Sequence, residues 1–259
     1  MKLTDWRILS DRGPDLIACL DFPGARAAAG FTDLAEGVPV DACFLHFRQA
    51  GAGPLAASVD RWAAELAATG RPVRAVLGYC AGGALATRLA DAIAATGPAP
   101  VVVLFDAVPT TGESVADQFM SAVQSSARQL TEQELADARA LSEQIVTRYP
   151  DDLRLIAAGL TEHYEALMRA VAERLSLPLF LHQELTAGFT AYLDYLLLAG
   201  EGGFDTRAST PLFVTSLEHE PPVQPARTIS LDVEHDDLLR DPKVYKLVAE
   251  IIRGEIPQW

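Results

Sequence analysis

The sequence has little cysteine and no long apolar run. Its 259 residues include only three cysteines, Cys19, Cys43 and Cys80, and none of them forms a CxxC pair. This usage favours a reducing cytoplasm. No apolar run reaches the roughly 20 residues that a membrane-spanning helix needs, and the amino terminus has no charged segment followed by an apolar signal core. We therefore expect a cytoplasmic protein without a membrane anchor.

Positive charge is also scarce. The chain has 21 Lys and Arg against 35 Asp and Glu, which gives a formal net charge of -14. Like charges repel over a Debye length of roughly 8 Å, so binding to nucleic acid or to an anionic lipid surface is unfavourable. With 49% hydrophobic and 22% charged residues, the chain can bury the core of one large α/β domain with an insertion.

Short apolar runs alternate with helical stretches in the first part of the chain. The runs DLIACLDF (15–22), VDACFLHF (40–47), VRAVLGY (73–79) and PVVVLFD (100–106) predict strands. Near-continuous apolar strands separated by helices are typical of a parallel sheet covered on both faces. The stretches LAASVDRWAAELAATG and GGALATRLADAIAATG predict helices that end at glycine. The strand pattern resumes with TPLFVTSLE (210–218) and ARTISLDV (226–233), and a last helix follows.

The middle of the chain, from about 108 to 203, contains no convincing strand. Thr131 and Glu134 have the spacing of a capping box at a helix start. One helix face is predicted to carry Tyr164, Leu167, Met168, Val171 and Leu175. We therefore predict an α/β core formed by residues 1–107 and 204–259, with residues 108–203 inserted as a helical lid. The alternative is that the apolar faces pack only among themselves or form a dimer interface.

A possible nucleophile lies in VLGYCAGGALA (76–86), where the central cysteine of Gly-x-Cys-x-Gly joins a predicted strand to a predicted helix. Such a turn projects its central side chain above the sheet, as in a nucleophile elbow. The backbone N–H of Ala81 could then donate to an oxyanion at the helix start. The alternative is that Cys80 is a buried structural thiol.

A thiol nucleophile needs a base and an acid that orients it. The five histidines are His46, His163, His182, His219 and His235. His235 follows the last predicted strand, so it should lie at the carboxyl edge of the sheet, and we favour it. For the acid, Asp106 ends one apolar strand, and Glu218 and Glu220 follow the next. Spacing alone leaves these carboxylates open.

These residues resemble the thioesterases of the α/β-hydrolase superfamily that work beside non-ribosomal peptide and polyketide synthases. The resemblance covers most of the chain and rests on DFPGA, VLGYCAGGALATRLADAI, PVVVLFDAVP, TPLFV and VEHDDLLRDPKVYKLVAEII. It implies an α/β-hydrolase fold, a mostly parallel central sheet flanked by helices with a helical lid. It favours Asp106 as the acid and sets the second oxyanion N–H at or near Ala25. The sequence departs from this family in Cys80, where serine is usual, and in Glu234, where glycine often precedes the histidine.

The resemblance also implies a partner and a substrate class. The partner would be an acyl or peptidyl carrier protein, whose phosphopantetheine arm carries the substrate as a thioester, and no cofactor or metal is expected. Exchange of one thioester for another on sulfur has little free-energy cost, so the acceptor could be water, an amine, a hydroxyl or another thiol. A cysteine-dependent acyltransferase that shuttles acyl groups between carriers is therefore an alternative.

Two further alternatives remain. A hydrolase similar to dienelactone hydrolases also uses cysteine in this setting, with the acid at Glu218 or Glu220, but it lacks a large lid. A catalytically silent scaffold for binding would lack a histidine or an acid in reach of Cys80. The sequence leaves the oligomeric state open.

Overall fold

The computed structural model describes residues 3–22, 28–48, 53–207, 209–223 and 227–255, with the side chains of 179–185 excepted. The chain divides into two compact units, one of Met1–Pro109 with Glu201–Trp259 and one of Thr110–Gly200. The sequence-based insertion, residues 108–203, has similar bounds to the second unit. Its role as a lid stays a prediction.

The first unit is built on a seven-stranded sheet within the described residues. Its strands are β1 (Trp6–Asp11), β2 (Leu16–Leu20), β3 (Cys43–Phe47), β4 (Val73–Tyr79), β5 (Val101–Phe105), β6 (Leu212–Thr215) and β7 (Thr228–Ser230). Their order is β1-β3-β2-β4-β5-β6-β7. All neighbours are parallel except β1, which pairs antiparallel with β3. The mostly parallel sheet expected from the apolar runs is confirmed, and β1 is an edge strand that the sequence pattern did not predict.

Helices cover both faces of this sheet. They are α1 (Phe31–Gly37), α2 (Leu55–Ala67), α3 (Gly82–Ala94) and α8 (Pro242–Arg253), the last numbered after the four helices of the second unit. Apolar residues of α1 and α8 share one buried cluster with alternate strand residues such as Ala75, Leu77 and Tyr79. Gly78, which points to the opposite face, lies against α3. Both faces are therefore buried, which explains why the strands are almost continuously apolar.

In its described residues, the second unit has helices joined by short connections and no strand. It consists of α4 (Gly112–Ser125), α5 (Glu132–Arg148), α6 (Leu153–Arg174) and α7 (Leu179–Gly200), with a short 3-10 turn, Ala127–Gln129. The predicted capping box is confirmed, since the Glu134 amide donates to the Thr131 hydroxyl and the Thr131 amide donates to the Glu134 carboxylate. Within the parts of the chain that are described, no helix is both long and apolar enough to cross a membrane.

The predicted apolar face of α6 is right in four positions and wrong in one. Tyr164, Leu167, Met168 and Val171 are buried, but Leu175 is 49% exposed. Leu175 caps the carboxyl end of α6, and Ser176 follows it with a φ of 52°. Leu175 still donates its amide to the Val171 carbonyl, so it is the last position on the helical path, and the buried face of α6 ends before it.

Candidate active site

Cys80 occupies a sharp turn between β4 and α3. Its φ is +50°, a left-handed conformation that a side-chain-bearing residue adopts only at a cost of about 1–3 kcal/mol. Its amide donates to the Phe105 carbonyl at 3.0 Å, and its own carbonyl accepts from the Gly83 amide at 3.1 Å. The turn is thus held to the neighbouring strand and to the first turn of the helix. Cys80 is half-buried, with its thiol at the carboxyl edge of the sheet.

Glycine is required beside this turn because there is no space for a side chain. A Cβ on Gly78 would lie 2.6 Å from the Gly83 Cα and 2.9 Å from the Gly82 carbonyl oxygen. These neighbours are backbone atoms, which cannot turn aside. A Cβ added to Gly83 would lie 3.1 Å from the Cβ of Ala107. The glycines of the motif therefore let α3 start directly against the ends of the strands.

Ala81 is the N-cap residue of α3. The amides of Gly83 and Ala84 donate within the first turn of the helix, and among the described hydrogen bonds the Ala81 amide has no acceptor. An amide at a helix N-terminus beside a thiol is suited to stabilise negative charge. Ala25, the expected second donor, lies outside the described residues.

The other two predicted triad residues lie next to Cys80. His235 begins a 3-10 turn, His235–Arg240, and its Nε2 is 3.7 Å from the Cys80 Sγ. Its Nδ1 donates to Asp106 Oδ2 at 2.6 Å. Asp106 follows β5 directly, and its φ is also positive, +40°. The structure therefore brings Cys80, His235 and Asp106 into one hydrogen-bonded chain from sulfur to carboxylate.

The Asp106 carboxylate is fully buried and is held from several sides. Its Oδ1 accepts from the Ser216 amide at 2.7 Å. The His219 Nδ1 lies 4.0 Å from the same oxygen, while the His219 Nε2 donates to the Ala107 carbonyl at 3.3 Å. Burial raises the pKa of Asp106, but the hydrogen bonds from His235 and Ser216 outweigh burial and hold that pKa below its ordinary value. A charged carboxylate is thus stabilised behind the imidazole.

The imidazole of His235 is shifted in the opposite direction. The hydrogen bond to Asp106, followed by that to Cys80, raises the pKa of His235 to about 10. A proton on the ring is therefore stabilised by the Asp106 carboxylate. Since the side chain is 46% exposed, the ring is also open to approach from outside.

The remaining histidines lie elsewhere or do something else. His46 is buried in β3, where the Arg7 guanidinium approaches its Nδ1 at 3.4 Å. His163 belongs to α6 in the second unit, and burial lowers its pKa. The side chain of His182 lies outside the described residues. His219 contacts the acid rather than the thiol.

The alternative acids do not contact the imidazole. Glu218 and Glu220 are both exposed, and among the described residues neither hydrogen bonds to His235. Glu218 follows β6 at a turn of φ +61°, which directs the chain away from the strand. The carboxylate that hydrogen bonds to the imidazole is that of Asp106.

Three contacting residues were not assigned to the site from the sequence. Tyr79 stacks on the His235 ring, with ring centroids 5.2 Å apart. Ser216 and His219 surround Asp106, as described above. Tyr79 ends β4 and Ser216 directly follows β6, so position at a strand end was a usable signal. His219 was considered only as a base.

The other cysteines differ from Cys80 in environment. All three thiols are free, but Cys19 and Cys43 are buried in the sheet. Burial raises the pKa of Cys19 well above its ordinary value and that of Cys43 to about 11. Neither is suited to nucleophilic chemistry at neutral pH. In the described portion of the chain, no group of three His, Cys, Asp or Glu side chains could hold a metal ion.

Neither a protein-family model nor a curated protein sequence matches the chain. Solved structures do match it. A four-domain nonribosomal peptide synthetase bound to AMP and glycine aligns with a TM-score of 0.55 and 15% identity, over 98% of this chain and 20% of the synthetase. The Vlm2 thioesterase domain bound with a dodecadepsipeptide aligns with a TM-score of 0.51 and 17% identity, over 98% and 99% of the two chains.

The structure of an enzyme described only as an α/β hydrolase matches this chain with a similar TM-score. MGS-M2, an α/β hydrolase from a Medee basin deep-sea metagenome library, aligns with a TM-score of 0.51 and 14% identity over 98% of this chain and 95% of that one. At such identities the likeness is one of fold. Together with the sheet order and the turn at Cys80, it confirms the fold class expected from the sequence: this chain has the α/β-hydrolase fold.

Proposed function

We propose that the chain is a thioesterase-like enzyme that takes acyl or peptidyl groups from carrier proteins of non-ribosomal peptide or polyketide biosynthesis. Cys80 is the nucleophile, His235 the base and Asp106 the orienting acid. The observation that supports this most is the chain of contacts from Cys80 Sγ to His235 Nε2 (3.7 Å) and from Nδ1 to Asp106 (2.6 Å). The fold shared with a thioesterase domain and with part of a nonribosomal peptide synthetase supports the substrate class.

In the first step the thiol proton moves to His235 Nε2, and the sulfur attacks the thioester carbonyl carbon. The carbonyl oxygen becomes an oxyanion, for which the Ala81 amide is the donor at the helix start. Asp106 holds Nδ1 and stabilises the imidazolium that forms. The hydrogen bond to Asp106 raises the pKa of His235, which stabilises the proton that Nε2 takes from the thiol.

In the second step the tetrahedral intermediate collapses and expels the carrier's phosphopantetheine sulfur. That sulfur takes the proton from Nε2 and leaves as a thiol, and the acyl group stays on Cys80 as a new thioester. One thioester bond has been broken and one formed, so the step is close to neutral in free energy and reversible.

In the third step Nε2 takes a proton from the acceptor as it attacks the acyl-cysteine. Collapse of the second tetrahedral intermediate returns that proton to Cys80. Water as acceptor gives hydrolysis, whereas an amine, a hydroxyl or a second carrier thiol gives transfer. An acyl-cysteine is more reactive than the ester that serine would form, and the free thiol of Cys80 would be preserved in a reducing cytoplasm.

The test is intact-protein mass spectrometry after mixing the protein with an acyl-loaded carrier protein. The protein should gain the mass of the acyl group, and Cys80→Ala should gain none because the attacking sulfur is absent. Cys43→Ala, which removes a buried thiol from the same sheet, is the matched control and should be acylated like the parent. Covalent acylation of the Cys80→Ala variant would exclude Cys80 as the nucleophile.

A second variant separates transfer from hydrolysis. Cys80→Ser is expected to retain weak hydrolysis and to lose transfer, because an oxoester is a poorer acyl donor than a thioester. Equal transfer by Cys80→Ser and the parent would remove the argument from thioester exchange. A folded parent protein that is never acylated, and whose Cys80 resists iodoacetamide at neutral pH, would favour the silent scaffold.

A further inference from the structure

Tyr79 ends β4 directly before the nucleophile, and the steps above give it no part. Its side chain is buried, with 1% exposure. Its ring lies almost parallel to the imidazole of His235, with planes inclined by 18° and centroids 5.2 Å apart. The imidazole itself is on a 3-10 turn with its side chain 46% exposed. The buried ring of Tyr79 therefore stacks on the His235 imidazole, which is itself only partly buried.

The tyrosine hydroxyl lies over the face of the imidazole. It is 2.9 Å from Nε2 and 3.5 Å from Nδ1. A partner on the in-plane lone pair of Nε2 would be much farther from Nδ1, because the two nitrogens point away from each other around the ring. Similar distances to both nitrogens, together with nearly parallel rings, mean that the hydroxyl is out of the ring plane. The in-plane position at Nε2 is thus left open for the Cys80 thiol.

The hydroxyl also has a backbone acceptor. Tyr79 Oη lies 3.3 Å from the His235 carbonyl oxygen and can donate to it. When it does so, its own lone pairs are turned toward the imidazole. An oxygen that presents lone pairs to the ring interacts more favourably with a positively charged imidazolium than with a neutral imidazole. The contact therefore favours the protonated ring.

The contact with Asp106 alone does not fix the orientation of the imidazole plane. A single hydrogen bond at Nδ1 fixes a point on the ring, but the ring can still turn about that bond. Stacking against a buried aromatic fixes the plane. Both restraints together direct Nε2 toward the Cys80 sulfur. Loss of such alignment lowers a reaction rate by orders of magnitude.

We propose that Tyr79 is a positioning residue that holds the plane of the His235 ring with Nε2 toward the Cys80 sulfur, and that it stabilises the ring when this carries the thiol proton. This inference rests on the proposed function in taking Cys80 and His235 as the reacting pair. It adds no covalent step: the thiol proton moves to Nε2, remains there over the tyrosine hydroxyl, and later passes to the leaving sulfur.

Two variants separate the ring from the hydroxyl. Tyr79→Phe keeps the stacked ring and removes the oxygen, whereas Tyr79→Leu removes both. Phe44→Leu is the matched control, since Phe44 is fully buried in β3 within the same cluster, away from the imidazole. Circular dichroism and thermal unfolding of all three establish that the proteins being compared are folded.

The first readout is the rate at which iodoacetamide alkylates Cys80 as a function of pH, measured by intact mass. Tyr79→Leu should lower the rate at neutral pH about tenfold and move the profile to higher pH. Tyr79→Phe should show a smaller shift in the same direction, and Phe44→Leu none. A folded Tyr79→Leu variant with the parent's profile would overturn the proposal.

The second readout is acyl transfer from a loaded carrier protein. Tyr79→Leu should lower kcat by about 10- to 100-fold with little change in KM, because orientation and not substrate binding is lost. A change in KM alone would contradict a positioning role. Failure of the proposed function would show differently, as no carrier-dependent acylation of the parent, and the alkylation profiles would still test Tyr79.

Discussion

The two units of this chain follow different rules of local structure. Among the described residues, the sheet unit holds three non-glycine residues with positive φ, Cys80, Asp106 and Glu218, whereas the helical unit holds one, Ser176. Cys80 and Asp106 are also the residues whose side chains meet the same imidazole. Backbone strain in this molecule is thus concentrated where the chemistry would take place.

The helical unit obeys its local sequence signals. Thr111, Thr131 and Asp152 each cap the start of a helix through the side chain, and α7 follows its apolar run to Gly200. Such a unit can be read from periodicity and caps. The comparison teaches that departures from local preference, more than agreement with it, mark the candidate site.

The largest difference between the two units is expected for a substitution at Asp106, in the sheet unit. Asp106→Asn keeps the shape of the side chain but removes the charge that orients and stabilises the imidazolium. We expect acyl transfer to fall by a factor on the order of 10² or more, with the fold intact. Glu218→Gln and Glu220→Gln, which alter exposed carboxylates, should do little. Turnover numbers with a loaded carrier protein measure this, and the reverse ranking would favour the arrangement of dienelactone hydrolases.

The same variant has a pH signature. The hydrogen bond to Asp106 is the main cause that raises the pKa of His235 from 6.5 to about 10. The charged ring therefore stabilises the fold fully below about pH 6.5, and this contribution is lost as the pH rises through about 10. The stability difference between the parent and Asp106→Asn should shrink across that window. Unfolding midpoints measured from pH 6 to pH 10 would show it, and a constant difference would contradict the Asp106 contact.

A matched pair of glycine substitutions sharpens the comparison. Gly78→Ala places a Cβ 2.6 Å from the Gly83 Cα in the sheet unit and should lower the free energy of unfolding by about 3 kcal/mol or more. Gly188 lies within α7 of the helical unit with nothing within 4 Å of an added Cβ. Gly188→Ala should raise stability by about 0.5–1 kcal/mol. Urea unfolding of both variants tests the opposite signs, and equal effects would refute the distinction.

The smallest expected effect concerns a helix cap. Thr131→Ala removes the acceptor for the Glu134 amide at the start of α5 and should cost about 1 kcal/mol. Since the cap serves only local structure, acylation of Cys80 by a loaded carrier should keep its rate. A thermal melt and the mass-spectrometric assay on one preparation check both expectations. A large loss of acylation in a folded variant would link α5 to the site.

The sequence predicted most of the sheet because buried parallel strands are continuous apolar runs. It missed β1, an edge strand in which only Trp6 of WRILSD is buried, and it extended β6 beyond Thr215 into the turn that contains Glu218. Cys80, His235 and Asp106 were selected from order along the chain and family resemblance, and the structure places them in contact; their catalytic roles stay a proposal. Tyr79 and His219 were not assigned their contacts, because each contact joins segments far apart in the chain, Tyr79 to His235 and His219 to Ala107.

Backbone hydrogen bonds join the nucleophile and the acid to adjacent strands. The amide of Cys80 donates to Phe105 and that of Asp106 donates to Val214, each at 3.0 Å, whereas His235 is carried by a short turn after β7. The three residues therefore consist of a pair embedded in the sheet and a partner on a separate segment. Under the proposed mechanism, the proton must be delivered first to a departing sulfur and then taken from an incoming acceptor at a slightly different position. The segment after β7 sets where Nε2 lies in both transfers, while sulfur and carboxylate stay in register. Changes in that segment should therefore affect acyl capture and acyl release together, because His235 moves the proton in both.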